Sequence, residues 1–176
     1  MPINKAIYLG IYTAAYSNAL SLVKEADLLL KNGYYPRAYF LAFTALEEIS
    51  KSQMAADVYT GYSTEVDYRI FYKDHPKKLA RVVWVHNEQT ILFNNLRWIG
   101  PEMNDFITVN AEAPLWNNRQ KSLYVDNNEN SVLTPETEIN REQAQGMIHL
   151  VEKAIERIVV VTEIDGNQIG TKGFMK

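Results

Sequence analysis

The sequence predicts an all-α bundle of four long helices plus short ones, with a long irregular loop before the last helix. Three observations carry this. Apolar residues recur at three- and four-residue steps along four long segments, the period of a helix face. Asn32-Gly33, Pro36, Gly61, Pro76 and Gly100-Pro101 punctuate those segments where helices stop and start. No stretch alternates apolar and polar residues as a half-buried strand does.

The first helix is predicted from about Ile3 to Lys31, with Ile7, Ile11, Ala14, Leu22, Ala26 and Leu29 as its apolar stripe and Asn18 on the same stripe. Asn32-Gly33 supplies its carboxy-terminal cap. Pro36 suits a first helical position, and the second helix runs from there to Thr60. Ala38, Leu41, Ala42, Ala45 and Ile49 form one face, while Tyr39, Phe40 and Phe43 cover much of the rest. A helix apolar on nearly all sides is a buried one. It is therefore placed at the centre of the fold, and its excess apolarity predicts burial against a second copy in a homodimer. A shorter helix follows from Thr64 to Lys73, capped by Ser63 or Thr64. Pro76 opens the third long helix, to Trp98, and a short helix is expected over Pro101 to Ile107. The rest of the stretch to residue 137 reads as the irregular excursion, of a length that is often functional. The last long helix runs from about Ile139 to Ile164, with Ala144, Met147, Ile148, Val151, Ile155, Ile158 and Thr162 as its seam. Residues 1–165 form one domain and 166–176 a flexible C-terminal tail.

Composition narrows the chemistry. The chain has 176 residues, of which 47% are apolar, and a net charge of -3, so it is neither disordered throughout nor a polycation. It has no cysteine, which removes disulfides, thiolate nucleophiles and cysteine zinc sites. Its three histidines, His75, His86 and His149, have no HExxH-type spacing, so neither a metal nor another cofactor is expected. The amino terminus lacks a basic segment followed by a clean apolar one, and no run of about 18 uncharged, wholly apolar residues occurs. A cytoplasmic protein with no membrane partner is the expectation.

Three side-chain groupings stand out. Glu47, Glu48 and Lys51 lie on the most apolar helix. At 100° per residue Glu47 falls between Phe40 and Phe43, and Glu48 borders the Leu41/Ala45 stripe. Neither carboxylate escapes easily to water, so each needs a cation or a donor, with Lys51, Arg69 or His75 as candidates. The second grouping is the run from Arg69 to Arg81, which holds five basic residues, one histidine and one acid on an otherwise acidic chain. Arg69, Lys73, Lys77, Lys78 and Arg81 make a patch that phosphates seek. A neutral His75 at a helix start can take a proton from a ribose 2′-hydroxyl while Arg69 stabilises charge on the phosphorane, chemistry that needs no metal. The plainer reading is a solvated basic helix end with a capping histidine. The third is Arg81 and His86. Their spacing is similar, but both fall in mid-helix, where five residues turn the side chains roughly 140° apart. The core position of His86 suits a buried histidine better.

The pattern Asn18…Leu22…Glu25-Ala-Asp27, then Gly33-Tyr-Tyr-Pro-Arg-Ala38, Leu41-Ala-Phe-Thr-Ala-Leu-Glu-Glu48-Ile-Ser-Lys51, Phe71-Tyr-Lys-Asp-His75-Pro-Lys-Lys78 and Lys121-Ser-Leu-Tyr-Val-Asp126 resembles the AbiV family. These are phage-defence, abortive-infection proteins of the HEPN superfamily. The resemblance covers most of residues 15 to 160. It implies a helical bundle that dimerises and, in many members, a metal-independent toxic ribonuclease. Its site uses an Arg, four to six residues, then a His, with two copies meeting at the dimer interface. Arg69 and His75 match that spacing, and so do Arg81 and His86. Here Ile70 follows the Arg where the motif often has a polar residue, and Pro76 follows the His.

Two functions from different classes follow. One is an endoribonuclease that arrests translation, with His75 as general base, Arg69 as phosphate clamp, and Lys73, Lys77, Lys78 and Arg81 along the RNA backbone. Asn18, Glu48 and Lys51 would support the site from the bundle, and Tyr124 and Asp126 would close it from the loop. The other is a non-catalytic dimer of the same fold that binds a phage or host protein. The stretch from Asp126 to Glu142, with five acids and one Arg, suits a basic partner.

Overall fold

A computed structural model describes residues 4–73 and 112–164, with side chains omitted at Phe71, Lys73, 112–114 and 157–164. The described chain is all-α apart from one small hairpin. In order it forms α1 (Lys5–Lys31), α2 (Tyr35–Thr60), α3 (Glu65–Lys73), α4 (Glu112–Lys121), β1 (Asp126–Asn127), β2 (Val132–Leu133), α5 (Pro135–Glu138) and α6 (Arg141–Ile164). The third long helix expected over 76–98, the short one over 101–107 and the tail from 166 lie outside the described residues.

The helix ends follow from local sequence. Gly33 sits at φ 82° and Gly61 at φ 81°, left-handed conformations that only glycine adopts without steric cost. Each ends its helix in the same way. Tyr34 N–H donates to Leu29 O (2.9 Å) and Gly33 N–H to Leu30 O (3.1 Å) after α1. After α2, Tyr62 N–H donates to Asp57 O (2.8 Å) and Gly61 N–H to Val58 O (3.1 Å). This pairing satisfies carbonyls that a helix end otherwise leaves open. At the start of α3, Thr64 Oγ1 accepts from Asp67 N–H (3.1 Å) while Asp67 Oδ2 accepts from Thr64 N–H (3.2 Å), so Thr64 is the cap. Asn140 and Gln143 make the equivalent reciprocal pair for α6 at 2.9 Å each way.

The expected central position of α2 is observed: it touches every other described helix. Against it α1 buries Ala19, Val23 and Ala26, and α6 buries Ala144, Met147, Ile148, Val151 and Ala154. Alanines on both sides of the α1–α2 contact (Ala19 and Ala26 against Ala38, Ala42 and Ala45) let the two backbones approach closely. A second, smaller cluster of Tyr8, Met54, Ala55, Val58 and Tyr68 closes the end where α3 crosses.

Four sequence expectations change. First, the predicted stripe of α1 meets the core only in its C-terminal half, where Ala26 is buried and Leu22 and Leu29 pack beside it; nearer the N-terminus the buried positions are the neighbouring Ala15, Ala19 and Val23. Ala14 and Asn18 are exposed, and Ile7 is 57% exposed. Two neighbouring stripes of α1 are both rich in apolar residues, and close packing selects the alanine-rich one. Second, the region before α6 is not irregular throughout. Helix α4 shows weak apolar periodicity and is anchored by Leu115 and Trp116 against the main core. Strands β1 and β2 pair antiparallel, Asp126 with Leu133 and Asn127 with Val132, and are too short to show alternation. Third, the apolarity of α2 is largely used within the chain. Phe43 is 1% exposed and packs on Trp116, and the Arg119 guanidinium lies 5.3 Å from the centre of the Phe40 ring. Fourth, the stretch of α1 between Lys5 and Lys24 carries no charge, and this helix is long and apolar enough to cross a membrane by length and composition alone. A core helix of a soluble bundle passes the same measure.

Candidate functional site

Where α3 crosses α1 and α2, an open groove of about 550 Å³ remains. Its walls come from three helices. Ile11, Ala14 and Asn18 recur at steps of three and four along α1 and so share one face. This face is the stripe that the sequence assigned to the core. Glu48 and Lys51 project one turn apart from α2, and Tyr68 and Tyr72 one turn apart from α3.

Glu48 and Lys51 form an ion pair, as expected for a carboxylate on this helix. Their side chains are only 14% and 23% exposed respectively. The Lys51 ammonium also lies 5.8 Å from the centre of the Tyr72 ring, a distance at which the ring's negative face attracts a cation. Tyr72 stacks nearly parallel on Tyr68 (5.8 Å, 14°), and Tyr8 meets Tyr68 edge-on (5.3 Å, 84°). Burial, helped by the neighbouring Tyr72, Tyr8 and Glu48, pushes the Tyr68 hydroxyl up to about 12. Tyr68 is therefore a neutral, rigid support for the exposed Tyr72.

Arg69 follows Tyr68 on α3 but does not line the groove. It is solvent-exposed and pairs with Glu65 one turn back. Glu65 and Arg69 also act in opposite senses on the hydroxyl of Tyr8. Burial is the largest influence there and raises its pKa, Glu65 adds to the rise, and Arg69 opposes it through its charge and a side-chain hydrogen bond to Tyr8.

The structure thus brings Asn18, Glu48 and Lys51 to one groove, with Arg69 on the helix that forms its third wall. Tyr124 and Asp126 line a different cleft of about 310 Å³, between α4, the hairpin and α5, which shares no lining residue with the groove. There Lys121 bridges to Glu138 at 2.7 Å. His75, Lys77, Lys78, Arg81 and His86, together with the Lys73 side chain, lie outside the described residues. Among the described residues no group of three or more His, Asp or Glu is placed to hold a metal.

Sequence reasoning missed Tyr68 and Tyr72. The signal was present as spacing: Tyr68 and Tyr72 stand four apart, as do Tyr8, Tyr12 and Tyr16 on α1, in a chain with 11 tyrosines. Four-residue spacing aligns rings on one helix face.

A family model for AbiV, of the HEPN type, matches residues 7–156 and so spans all three groove walls. The chain belongs to the AbiV family of HEPN proteins. No curated protein and no solved structure matches it. Family membership makes it a HEPN-type protein of the abortive-infection class, and the helical fold built around α2 agrees.

Proposed function

We propose that this AbiV-family protein is a metal-independent endoribonuclease that acts as a homodimer and arrests translation during phage infection. His75 takes the 2′-hydroxyl proton, the freed oxygen attacks the adjacent phosphorus, and the 5′-oxygen leaves with a proton, giving a 2′,3′-cyclic phosphate. Arg69 stabilises the charge that builds on the phosphorane. The observation that carries the reading is the position of Arg69: exposed on α3, beside the groove that gathers Asn18, Glu48 and Lys51, and six residues before His75. Its pairing with Glu65 is compatible with that role. An exposed pair of this kind is worth about 0–1 kcal/mol, so a phosphate displaces the carboxylate at little cost, while the hydrogen bond to Tyr8 steadies the guanidinium.

The test is incubation of purified protein with structured and unstructured RNAs in EDTA, beside the His75→Ala and Arg69→Ala variants. Cleavage leaving cyclic phosphate ends is expected, absent in His75→Ala and slowed on the order of 10²-fold in Arg69→Ala. RNA with a 2′-O-methyl at the cut site should resist. Intact RNA with or without metal refutes the activity. If His75→Ala also keeps anti-phage protection, the protein acts by binding another protein instead.

A further inference from the structure

Arg119, near the end of α4, has no part in the proposed cleavage, and its surroundings are unlike those of a surface arginine. Its guanidinium lies 5.3 Å from the centre of the Phe40 ring and 5.0 Å from that of Trp116. Nη1 donates to Gln120 Oε1 at 3.2 Å. Nε is buried and has no hydrogen-bond partner, whereas Nη2, equally unbonded, is not buried and so stays open to solvent. Lys31, Lys51, Lys121, Lys153 and Arg69 each hold a carboxylate. Among the described residues Arg119 is the one partly buried cation that does not. Taking a charge out of water carries a cost that ring faces offset only in part and that an anion offsets best.

We infer that Arg119 binds a backbone phosphate of single-stranded RNA, at a second anion site along α2 from the groove. This rests on the reading of the protein as an RNA-cleaving enzyme and adds how the strand is held away from the cut. The two rings and Gln120 hold the planar fork in place before any ligand arrives, and that fork matches the oxygens of a phosphate. Nη2 is open, and Nη1 is engaged only by a neutral amide that a phosphate oxygen can displace. The site also lies on the side of α2 that α3 occupies. Eleven residues make three helical turns and about 20°, so Phe40 and Lys51 share one face about 16 Å apart along the axis. Arg119 sits against the Phe40 end, and Tyr72 of α3, the helix that carries Arg69, against the Lys51 end. Of the acids near this face, Glu48 is neutralised by Lys51, and Glu47 has a partner of its own. A strand running along it places one phosphate on Arg119 and another near Arg69, as single-strand binders track a backbone with separated cations. The basic run that begins at Arg69 suits a polyanion, which favours a phosphate over the carboxylate of a protein partner.

The experiment measures binding apart from cleavage. A labelled single-stranded RNA of mixed sequence, 2′-O-methylated throughout, is titrated with wild type, Arg119→Met and Arg119→Lys at several salt concentrations, following fluorescence anisotropy. Methionine keeps an apolar stem against the rings and removes the charge, and circular dichroism checks that each variant is folded. Arg119→Met should weaken binding about 10- to 150-fold, the worth of a hydrogen bond to a charged group. It should also lower the slope of log affinity against log salt by about 0.7, one phosphate contact fewer on a single strand. Lost packing alone leaves that slope unchanged. Arg119→Lys keeps the charge without the fork, so it should keep the slope and lose less affinity. In the wild type, phenylglyoxal should modify Arg119, and bound RNA should protect it, as read by peptide mass spectrometry. This arm needs no variant to fold. The inference is overturned if the wild type does not bind the RNA, or if folded Arg119→Met keeps the wild-type affinity or the wild-type slope. It is also overturned if the reagent never reaches Arg119, if RNA leaves it unprotected, or if inorganic phosphate or polyglutamate protects it where RNA does not. Cleavage of unmodified RNA is scored separately. Arg119-dependent binding without cleavage leaves this inference standing and removes the nuclease, whereas cleavage with Arg119-independent binding does the reverse.

Discussion

The ion pair between Glu48 and Lys51 offers a sharp test of the groove's energetics, because its two members are not equally replaceable. An exposed pair couples by about 0–1 kcal/mol, and removing one partner of a buried pair costs about 3–5 kcal/mol. With side chains 14% and 23% exposed, this pair lies between those limits. Lys51 has a second source of stabilisation in the Tyr72 ring and keeps more contact with water, so Glu48→Ala should cost about 1–2 kcal/mol. Glu48 is the less exposed member, so Lys51→Met strands a carboxylate and should cost more, about 2–3 kcal/mol. For a chain of this size that is a fall in Tm of about 4–12 °C. Urea unfolding of both single variants and the double variant closes the cycle. The double variant should be less destabilised than the sum of the singles by about 1–2 kcal/mol. A coupling below about 0.5 kcal/mol, or a larger loss from Glu48→Ala than from Lys51→Met, would refute this account of the pair.

Three further outcomes follow from the fold. Phe43→Ala opens a cavity beside Trp116 at the centre of α2 and should cost about 3–5 kcal/mol by chemical denaturation. Gly61→Ala forces a side chain into the left-handed region that ends α2, a loss of about 1–2 kcal/mol that thermal melts will show. Burial pushes the Tyr39 hydroxyl up to about 12, against a weaker opposing hydrogen bond from Asn118, and Tyr68 is likewise pushed up to about 12. A group whose folded pKa is raised stabilises the fold below its unfolded value, near 10, and loses that contribution as pH rises toward 12. Tyr39 alone then contributes about 2–3 kcal/mol that disappears across this window, so circular dichroism should show unfolding there. The account fails if every phenolate titrates near 10 while the helices persist.

The helices were legible because each carries its own boundaries. Asn32-Gly33, Pro36, Gly61 and Thr64 act through backbone geometry within a few residues, and the structure uses all of them. The buried face of the N-terminal half of α1 was not legible, because two adjacent stripes are similarly apolar there, whereas Leu22, Ala26 and Leu29 were placed correctly. Which one is buried depends on how closely α2 approaches, a long-range property set by alanines on the other helix. For the same reason the contacts of Phe43 with Trp116 and of Phe40 with Arg119, more than 70 positions away, were not legible. In the site, Glu48 and Lys51 could be paired from sequence because their spacing is local. Their company with Asn18, Tyr68 and Tyr72 needs three helices to converge.

That convergence explains why the groove exists. The alanine contacts between α1 and α2 close the centre of the bundle, where no bulky side chain holds the helices apart. At the end where α3 crosses, tyrosines replace alanines: Tyr8 on α1 and Tyr68 on α3 pack into the smaller cluster with Met54 and Val58. Rings of this size fill the crossing but leave the adjoining α1 face, with its short Ala14 and polar Asn18, uncovered by any described helix. The charged residues of α2 then fall at that uncovered face, where Glu48 and Lys51 keep partial access to water and neutralise each other. The same packing that excludes water from the core therefore places a neutral, aromatic-walled opening next to an exposed arginine. Substitutions in the groove can alter what it holds without reaching the Ala42–Phe43–Leu46 centre on which folding depends.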